Sequence, residues 1–269
     1  MTNSGPSTND ERQALYERML DACSHALGGE LYCLFSALCG RNWESGKKLA
    51  FYGRAPNGWR RPLSAGELAS ELPMILKFGV EDSICEHSEP RDHYRPNGEA
   101  CKSDPATHWI IHEGPYKKLR NTNWARSTPY WRVVENIMNP GGSRKDWHSE
   151  IMFSQLYKLA PWCSNPDETL QQCQLSSSRD LLLYELSKYK PRAAIFLTER
   201  NPRDKKSFKS EWFDPFERAF DPSLPNRQDL YIRKAGTVRL DGWDCKIVVS
   251  VRPENVKCEA LAQAILGYV

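Results

Sequence analysis

The sequence predicts an α/β fold, a three-layer αβα sandwich built around a central, mostly parallel sheet of four strands. Three observations support this prediction. Four short apolar runs occur without the alternation of a half-exposed strand, and a helical pattern separates most of them. Strands of this kind are buried on both faces, as in parallel sheets whose crossover helices cover both sides. At 269 residues and 40% hydrophobic composition, the chain is long enough for one such domain over residues 1–269. The four runs are residues 48–52, 150–159, 193–197 and 246–251.

The remaining elements are predicted from periodicity and from start and stop signals. A helix over 9–26 carries one apolar stripe and stops at Gly28-Gly29, within an N-terminal helical segment of residues 9–47. A second helix, 130–138, stops at Pro-Gly-Gly, and a start signal at 165–168 leads to a third at 179–188. The last helix covers 254–266. Weaker patterns predict partial helix at 208–220 and short strands at 229–234 and 237–240.

Residues 59–128 are irregular and rich in His, Pro and charged residues, which is typical of an insertion after the first core strand. This insertion contains ligand types for zinc, but their spacings match no standard finger. We interpret it as a lid facing the substrate, with a zinc site or a small core of its own as alternatives. The zinc-ligand types are Cys85, His87, His93, Cys101, His108 and His112.

Composition sets limits on compartment and cofactors. No apolar stretch approaches the roughly 18 residues of a membrane helix, and the N-terminus lacks the features of a signal peptide. The nine cysteines are an odd number and contain no C-x-x-C pair, so we expect mostly reduced thiols. We therefore expect a cytoplasmic protein with no membrane partner, no metal and no cofactor.

Positive charge is clustered, although the net charge is only +3. Cations gather in several separated segments, as suits a nucleic-acid backbone, so DNA is the predicted partner. The alternative is an ordinary solvated surface. The basic segments are Arg60-Arg61, Lys117 to Arg120, Arg144-Lys145 and residues 200–209.

A ligand of a parallel sheet binds beyond the carboxyl ends of its strands. The functional residues should therefore come directly after Tyr52, Leu159, Leu197 and Val251. The first of these positions opens the turn G-R-A-P-N-G at 53–58.

Four of these segments resemble motifs of the uracil-DNA glycosylase superfamily. The turn at 53–58 resembles a first motif that reads G-E-A-P-G or G-Q-D-P-Y. Residues 129–132, P-Y-W-R, are similar to the P-F-V-G-R segment, and 154–161, S-Q-L-Y-K-L-A-P, are similar to T-N-V-V-K-C-R-P. Residues 251–254, V-R-P-E, resemble the H-P-S motif near the C-terminus. Four motifs in this order indicate a glycosylase-like fold with a large insertion.

The resemblance, the strand-end position of Glu199 and the basic segment at 200–209 together predict three groups of site residues. The base-binding group is Gly53, Arg54, Ala55, Pro56, Tyr130 and Gln155, with Tyr130 stacking on the flipped base. The catalytic group is Arg252, Glu199 and Asn57. The DNA-binding group is Ser154, Lys158, Arg200, Arg203, Lys205 and Lys206.

Departures from the family motifs change the expected chemistry. The acidic residue of the first motif is replaced, since its glutamate position holds Arg54 and its aspartate position holds Ala55. Arg252 stands where the family has the histidine that stabilises the leaving base, and Gln155 stands where an asparagine reads uracil. Arginine keeps its charge, so Arg252 can supply a fixed cation but cannot donate a proton. A phosphate contact or a structural ion pair is the alternative role for Arg252.

The other substitutions bear on substrate and nucleophile. Asn57 is smaller than the tyrosine that blocks bulk at carbon 5 of a pyrimidine in the best-known branch. Glu199, after the third strand, is the candidate for activating water, and Glu67 and Glu71 are further candidates. Three of the predicted site residues also have a purely structural alternative role. Gln155 could be a buried hydrogen-bond partner of the backbone, Tyr130 a core aromatic and Glu199 a surface carboxylate.

The iron-sulfur branch of the superfamily holds its cluster with four cysteines. Cys173 matches one of them, but Leu159 stands at another and the N-terminal pair is missing. Cys33, Cys39, Cys163 and Cys173 could form only an improvised site.

These features predict a monomeric DNA glycosylase that flips and excises a non-uracil, 5-modified pyrimidine from double-stranded DNA, for example the glucosylated hydroxymethylcytosine of phage DNA. Such an enzyme would suit antiviral defence. The first alternative is a catalytically inactive DNA-binding protein on the same fold. The second is a repair glycosylase for uracil or deaminated bases.

Overall fold

A six-stranded mixed sheet forms the centre of the computed structural model, which describes residues 8–40, 42–56, 62–81, 129–142, 147–162, 164–200, 211–220, 224–227, 229–254 and 256–269. The order of its strands is β2-β4-β3-β6-β8-β7. The inner four strands are parallel, and each edge strand is antiparallel to its neighbour. A separate pair, β1 and β5, is antiparallel. The strands are β1 (Tyr32–Leu34), β2 (Leu38–Cys39), β3 (Leu49–Gly53), β4 (Ile151–Gln155), β5 (Leu159–Pro161), β6 (Ala193–Glu199), β7 (Ile232–Leu240) and β8 (Trp243–Val251).

Six α-helices lie within the described ranges, and none of them is long and apolar enough to cross a membrane. They are α1 (Thr8–Cys23), α2 (Leu68–Glu81), α3 (Pro129–Met138), α4 (Glu168–Tyr189), α5 (Asp214–Glu217) and α6 (Cys258–Leu266). The mixed α/β class and the mostly parallel sheet predicted from the sequence are thus confirmed.

The two faces of the sheet are covered by different helices because strand side chains alternate between faces. On β3, Leu49 and Phe51 pack in a cluster with α3 and α6. Ala50 and Tyr52 face the opposite way, into a cluster with α4 and the segment around α5. Helices on both faces bury β3, β4 and β6 along their whole length and β8 from Ile247 to Val251, which explains their largely apolar sequences.

The connections that follow β3 and β4 run in opposite directions across the sheet. From β3 the chain returns to β4 on one side, and from β4 it crosses to β6 on the other side of β3. In open parallel sheets, the crevice at such a reversal, at the carboxyl ends of the strands, is the usual ligand position. The fold therefore places a candidate crevice beyond Gly53 and Glu199.

The predicted strand 150–159 is wrong in one respect, because the structure divides it in two. β4 ends at Gln155, residues 156–158 turn, and β5 pairs with β1 outside the central sheet. The turn is fixed by main-chain bonds from Leu156 N to Gly53 O and from Tyr157 N to Arg54 O, both 2.9 Å. The functional strand end is therefore Gln155 and not Leu159.

Three further element boundaries were predicted incorrectly. α4 begins at Glu168, capped by the Asp167 carboxylate, which accepts from Leu170 N at 2.8 Å. Polar residues along its first half concealed its helical period. β7 is one strand rather than two, because Gly236 continues the ladder with β8. Finally, α2 is a regular helix inside the predicted irregular insertion, of which residues 82–128 lie outside the described ranges.

Candidate functional site

The carboxyl ends of the four parallel strands bring the predicted site residues to one edge of the sheet. Gly53 on β3 is in register with Gln155 on β4. Glu199 on β6 pairs with Val251 on β8, and the main-chain N–H of Arg252 donates to the Glu199 carbonyl at 2.7 Å. The edge therefore fixes the backbones of Gly53, Gln155, Glu199 and Arg252 without relying on long loops.

Gln155 lies directly over Gly53. A Cβ atom at position 53 would be 2.4 Å from Gln155 Oε1, so only glycine leaves room for this carboxamide. Gln155 is buried, and its Oε1 has no hydrogen-bond partner in the part of the chain that the structure describes. A buried acceptor without a donor is uncommon and costs free energy. The arrangement leaves this oxygen able to accept from an added group.

Tyr130 lies in the first turn of α3 and packs edge-on against Phe153, with the ring centroids 5.7 Å apart. Phe153 and Gln155 are two residues apart on β4, so they point to the same face of the sheet. The Tyr130 hydroxyl is buried without a hydrogen-bond partner among the described residues, and burial raises its pKa well above the usual value. Tyr130 thus has the partial core role that was the alternative to base stacking.

Arg54 turns toward the opposite face. Its guanidinium carbon lies 5.4 Å from the centre of the Trp212 ring, within range of a cation–π contact. Burial lowers its pKa, the Glu254 carboxylate opposes that shift, and the charge of Arg252 adds to it. The residue in the acidic position of the first motif is therefore a packed, partly buried cation.

Glu254 lies between the two predicted site arginines. Its Oε1 is 3.8 Å from Arg54 Nη2, and its Oε2 is 3.8 Å from Arg252 Nε. Both arginine side chains are 21% exposed and the glutamate is 47% exposed. One carboxylate therefore separates two cations that would otherwise repel each other. The sequence reasoning missed Glu254, although it directly follows the Arg252-Pro253 pair and a charge-pairing argument would have found it.

Glu199 is a buried carboxyl group and not the surface residue that was the alternative. It is 3% exposed, and its Oε1 accepts from Phe213 N at 2.8 Å and from Thr198 Oγ1 at 3.0 Å. A register shift between Leu197 and Glu199 turns the side chain toward Phe213, as β-bulges commonly do beside functional sites. Burial raises the pKa of Glu199 to about 7 despite these hydrogen bonds.

Two predicted DNA contacts are wrong. Ser154 and Lys158 have no exposed surface. Lys158 Nζ instead donates to Ser154 Oγ at 2.7 Å, to the Gln155 carbonyl at 2.6 Å and to Glu185 Oε1 at 2.7 Å. The lysine turned inward because a buried carboxylate on α4 compensates its charge, and the motif alone gave no signal of that partner.

Some of the other predicted site residues lie within the described ranges, and the rest lie outside them. Ala55 and Pro56 are buried beyond β3, and Arg200 follows Glu199 with a half-buried side chain. Asn57, Arg203, Lys205, Lys206 and all six zinc-ligand types of the insertion lie outside the described residues, as does Cys163.

The described residues offer no site for a metal ion. In the described ranges, no group of three or more His, Cys, Asp or Glu side chains could hold a metal ion. Cys33 lies on β1, Cys39 lies on β2 of the central sheet, and Cys173 Sγ lies 3.3 Å from His25 Nε2.

The chain matches no protein-family model, and no curated protein matches its sequence.

Proposed function

We propose that the protein is a DNA glycosylase that flips and excises a non-uracil, 5-modified pyrimidine, for example glucosylated hydroxymethylcytosine, and leaves an abasic site. The observation that carries the proposal is that a buried carboxyl group of near-neutral pKa and two cations lie on neighbouring strand ends at one edge of the sheet. Glu199 supplies the carboxyl group, and Arg54 and Arg252 supply the cations.

The reaction assigns a role to each side chain. Water attacks C1′ of the sugar while the N-glycosidic bond breaks, and the base leaves as an anion. Glu199 takes a proton from the water, and its pKa of about 7 suits a general base at neutral pH. Arg252 stabilises the negative charge on the departing base, which needs only a fixed cation and no proton.

Gln155 supports recognition of the flipped base. Its buried Oε1, which has no hydrogen-bond partner among the described residues, can accept from an N–H group on the pairing edge of a pyrimidine, as enzymes that flip bases commonly require. A glutamine in place of a family asparagine extends the amide by one methylene group, which changes the position of the base that it can read. This supports a substrate other than uracil.

The test uses duplex oligonucleotides that carry a single uracil, cytosine, hydroxymethylcytosine or glucosylated hydroxymethylcytosine. Abasic sites are detected by alkaline cleavage, and the released base is identified by mass spectrometry. We expect abasic sites only with a 5-modified base. Glu199→Gln should slow excision by about 10²-fold or more, the usual contribution of a general base. Asp244→Asn, at the exposed start of β8, is the control and should leave the rate unchanged.

A DNA-binding protein without catalysis is the second candidate, and the observation that favours it is Arg54 in the acidic position of the first motif. Intact DNA binding without abasic sites in any of the four duplexes would select this candidate. Excision from the uracil duplex alone would instead select a repair glycosylase.

A further inference from the structure

A large, positively charged cavity opens beside Glu199. Its volume is about 1290 Å³, and it lies between α4, the segment that contains α5 and the start of β7. Three carboxyl groups, those of Glu199, Glu211 and Asp214, also line it. The cations that line the cavity are Arg179, Arg200, Arg218, Arg227, Arg233 and Lys234.

The carboxyl groups compensate only part of this charge. Lys234 is paired with Asp214 at 3.1 Å and also with Glu217, outside the cavity lining, at 2.5 Å. The pKa of Glu211 is raised, first because it shares a hydrogen bond with Asp214, and burial raises the pKa of Glu199 to about 7. Near neutral pH these two groups hold protons more readily than ordinary glutamates. The cavity therefore keeps a net positive charge.

Main-chain carbonyls, rather than carboxylates, hold three of the arginines in place. Arg179 Nε donates to Pro215 O at 2.7 Å, Arg227 Nη2 to Ala235 O at 3.0 Å and Arg233 Nη2 to Arg200 O at 3.3 Å. A neutral partner orients a guanidinium without cancelling its charge, and each group retains further N–H donors. Oriented arginines of this kind suit the bidentate recognition of phosphate oxygens.

We propose that this cavity binds the phosphodiester backbone of DNA next to the nucleotide that reaches the sheet edge. The proposal rests on the proposed function for the identity of the polyanion. A volume of about 1290 Å³ exceeds the roughly 300–1000 Å³ of most small-molecule pockets. The cations come from four separate parts of the chain, as suits contacts to successive phosphates. Glu199 belongs to both the cavity and the strand edge, so a bound backbone leads directly to the catalytic group.

The test measures the affinity of an unmodified duplex as a function of salt, because that binding needs no base recognition. Arg218→Gln/Arg227→Gln removes two exposed cations from the cavity. Each lost phosphate contact should lower the slope of log K against log salt by about 0.9, so the double variant should lose about 1 to 2 units of slope. Arg18→Gln/Arg239→Gln removes two exposed arginines elsewhere and is the matched control.

An unchanged slope in the cavity variant, or an equal loss in the control, would overturn the proposal. Arg218→Glu provides a second variant, since Arg218 is exposed and lies on the cavity rim; it should weaken binding more than Arg218→Gln. If pyrophosphate raises Tm in the wild type but the variants bind duplex DNA normally, the cavity is a small-anion site and the proposal fails. The result is separable from the proposed function: a reduced slope without any excision supports the cavity alone, and excision with an unchanged slope supports the glycosylase alone.

Discussion

Lys158 and Glu185 form a fully buried ion pair beneath the candidate site, with 2.7 Å between Nζ and Oε1 and side-chain exposures of 0% and 3%. Burial lowers the pKa of Lys158, and the charge of Glu185 opposes that change. The same ammonium group donates to the Gln155 carbonyl, so the pair also fixes the end of β4. A buried pair of this type costs desolvation and is retained for positioning as well as for stability.

Loss of one member of this pair should be more harmful than loss of both. Lys158→Met leaves Glu185 buried and uncompensated, so we expect a loss of about 3–5 kcal/mol in the free energy of unfolding. Lys158→Met/Glu185→Leu should recover much of that loss. Urea denaturation measures both. Lys48→Met, which breaks the exposed pair with Glu44, is the control and should cost no more than about 1 kcal/mol. A double variant that is less stable than Lys158→Met would contradict the expectation.

Gly53→Ala should disturb Gln155 specifically. The added Cβ would be 2.4 Å from Gln155 Oε1, so the carboxamide must move or the strand ends must separate. Because the carboxamide is the end of a flexible side chain, we expect it to move at a cost of about 0.5–1.5 kcal/mol, and Gln155→Ala in the same chain should restore most of it. Thermal denaturation of the four variants gives the coupling energy. Gly66→Ala is the control, because nothing lies within 4 Å of a Cβ built there. Additive effects at 53 and 155 would contradict the contact.

Glu199 should make the stability of the protein depend on pH. Its folded pKa of about 7 lies above the unfolded value near 4.5, so the folded state holds the proton more tightly. The resulting stabilisation is complete below about pH 4.5 and is lost as the pH rises to about 7. At about 1.4 kcal/mol for each pKa unit, the change is about 3 kcal/mol.

The measurement is urea denaturation of the wild type and Glu199→Gln between pH 4.5 and 8. The wild type should lose stability relative to the variant across this window, and Glu44→Gln, at an exposed glutamate, should follow the wild type. Parallel curves for the wild type and Glu199→Gln would show that Glu199 titrates normally. In the glycosylase assay, the rate should rise with an inflection near pH 7 as Glu199 becomes a base.

The sequence was most informative where a single local pattern decides the structure. The four inner strands, α3 and the strand-end positions of Arg54, Glu199 and Arg252 follow from apolar runs and motif order. The first half of helix α4 and the division at Gln155 were missed, because both depend on partners distant in sequence. Gln174 accepts from the N–H groups of Lys158 and Leu159, and Glu185 draws Lys158 inward. No pattern within either segment reveals such a pairing.

Glu254→Gln should change the geometry of the site more than its stability. The carboxylate lies 3.8 Å from both Arg54 and Arg252, and its removal leaves two neighbouring cations without the charge between them. The groups are partly exposed, so we expect a loss of no more than about 1 kcal/mol in the free energy of unfolding. Excision should fall clearly, because Arg252 would move away from Arg54 and from the leaving base.

The partner substitution tests this explanation. Arg54→Gln removes one of the two cations, so Arg54→Gln/Glu254→Gln should regain excision relative to Glu254→Gln alone. The gain should shrink as salt is raised, since the range of charge repulsion falls from about 10 Å at 0.1 M ionic strength to about 3 Å at 1 M. Single-turnover rates at low and high salt measure the effect, with Asp244→Asn as the control. If the double variant is as slow as Glu254→Gln at every salt concentration, Glu254 acts by another route than separating the two arginines.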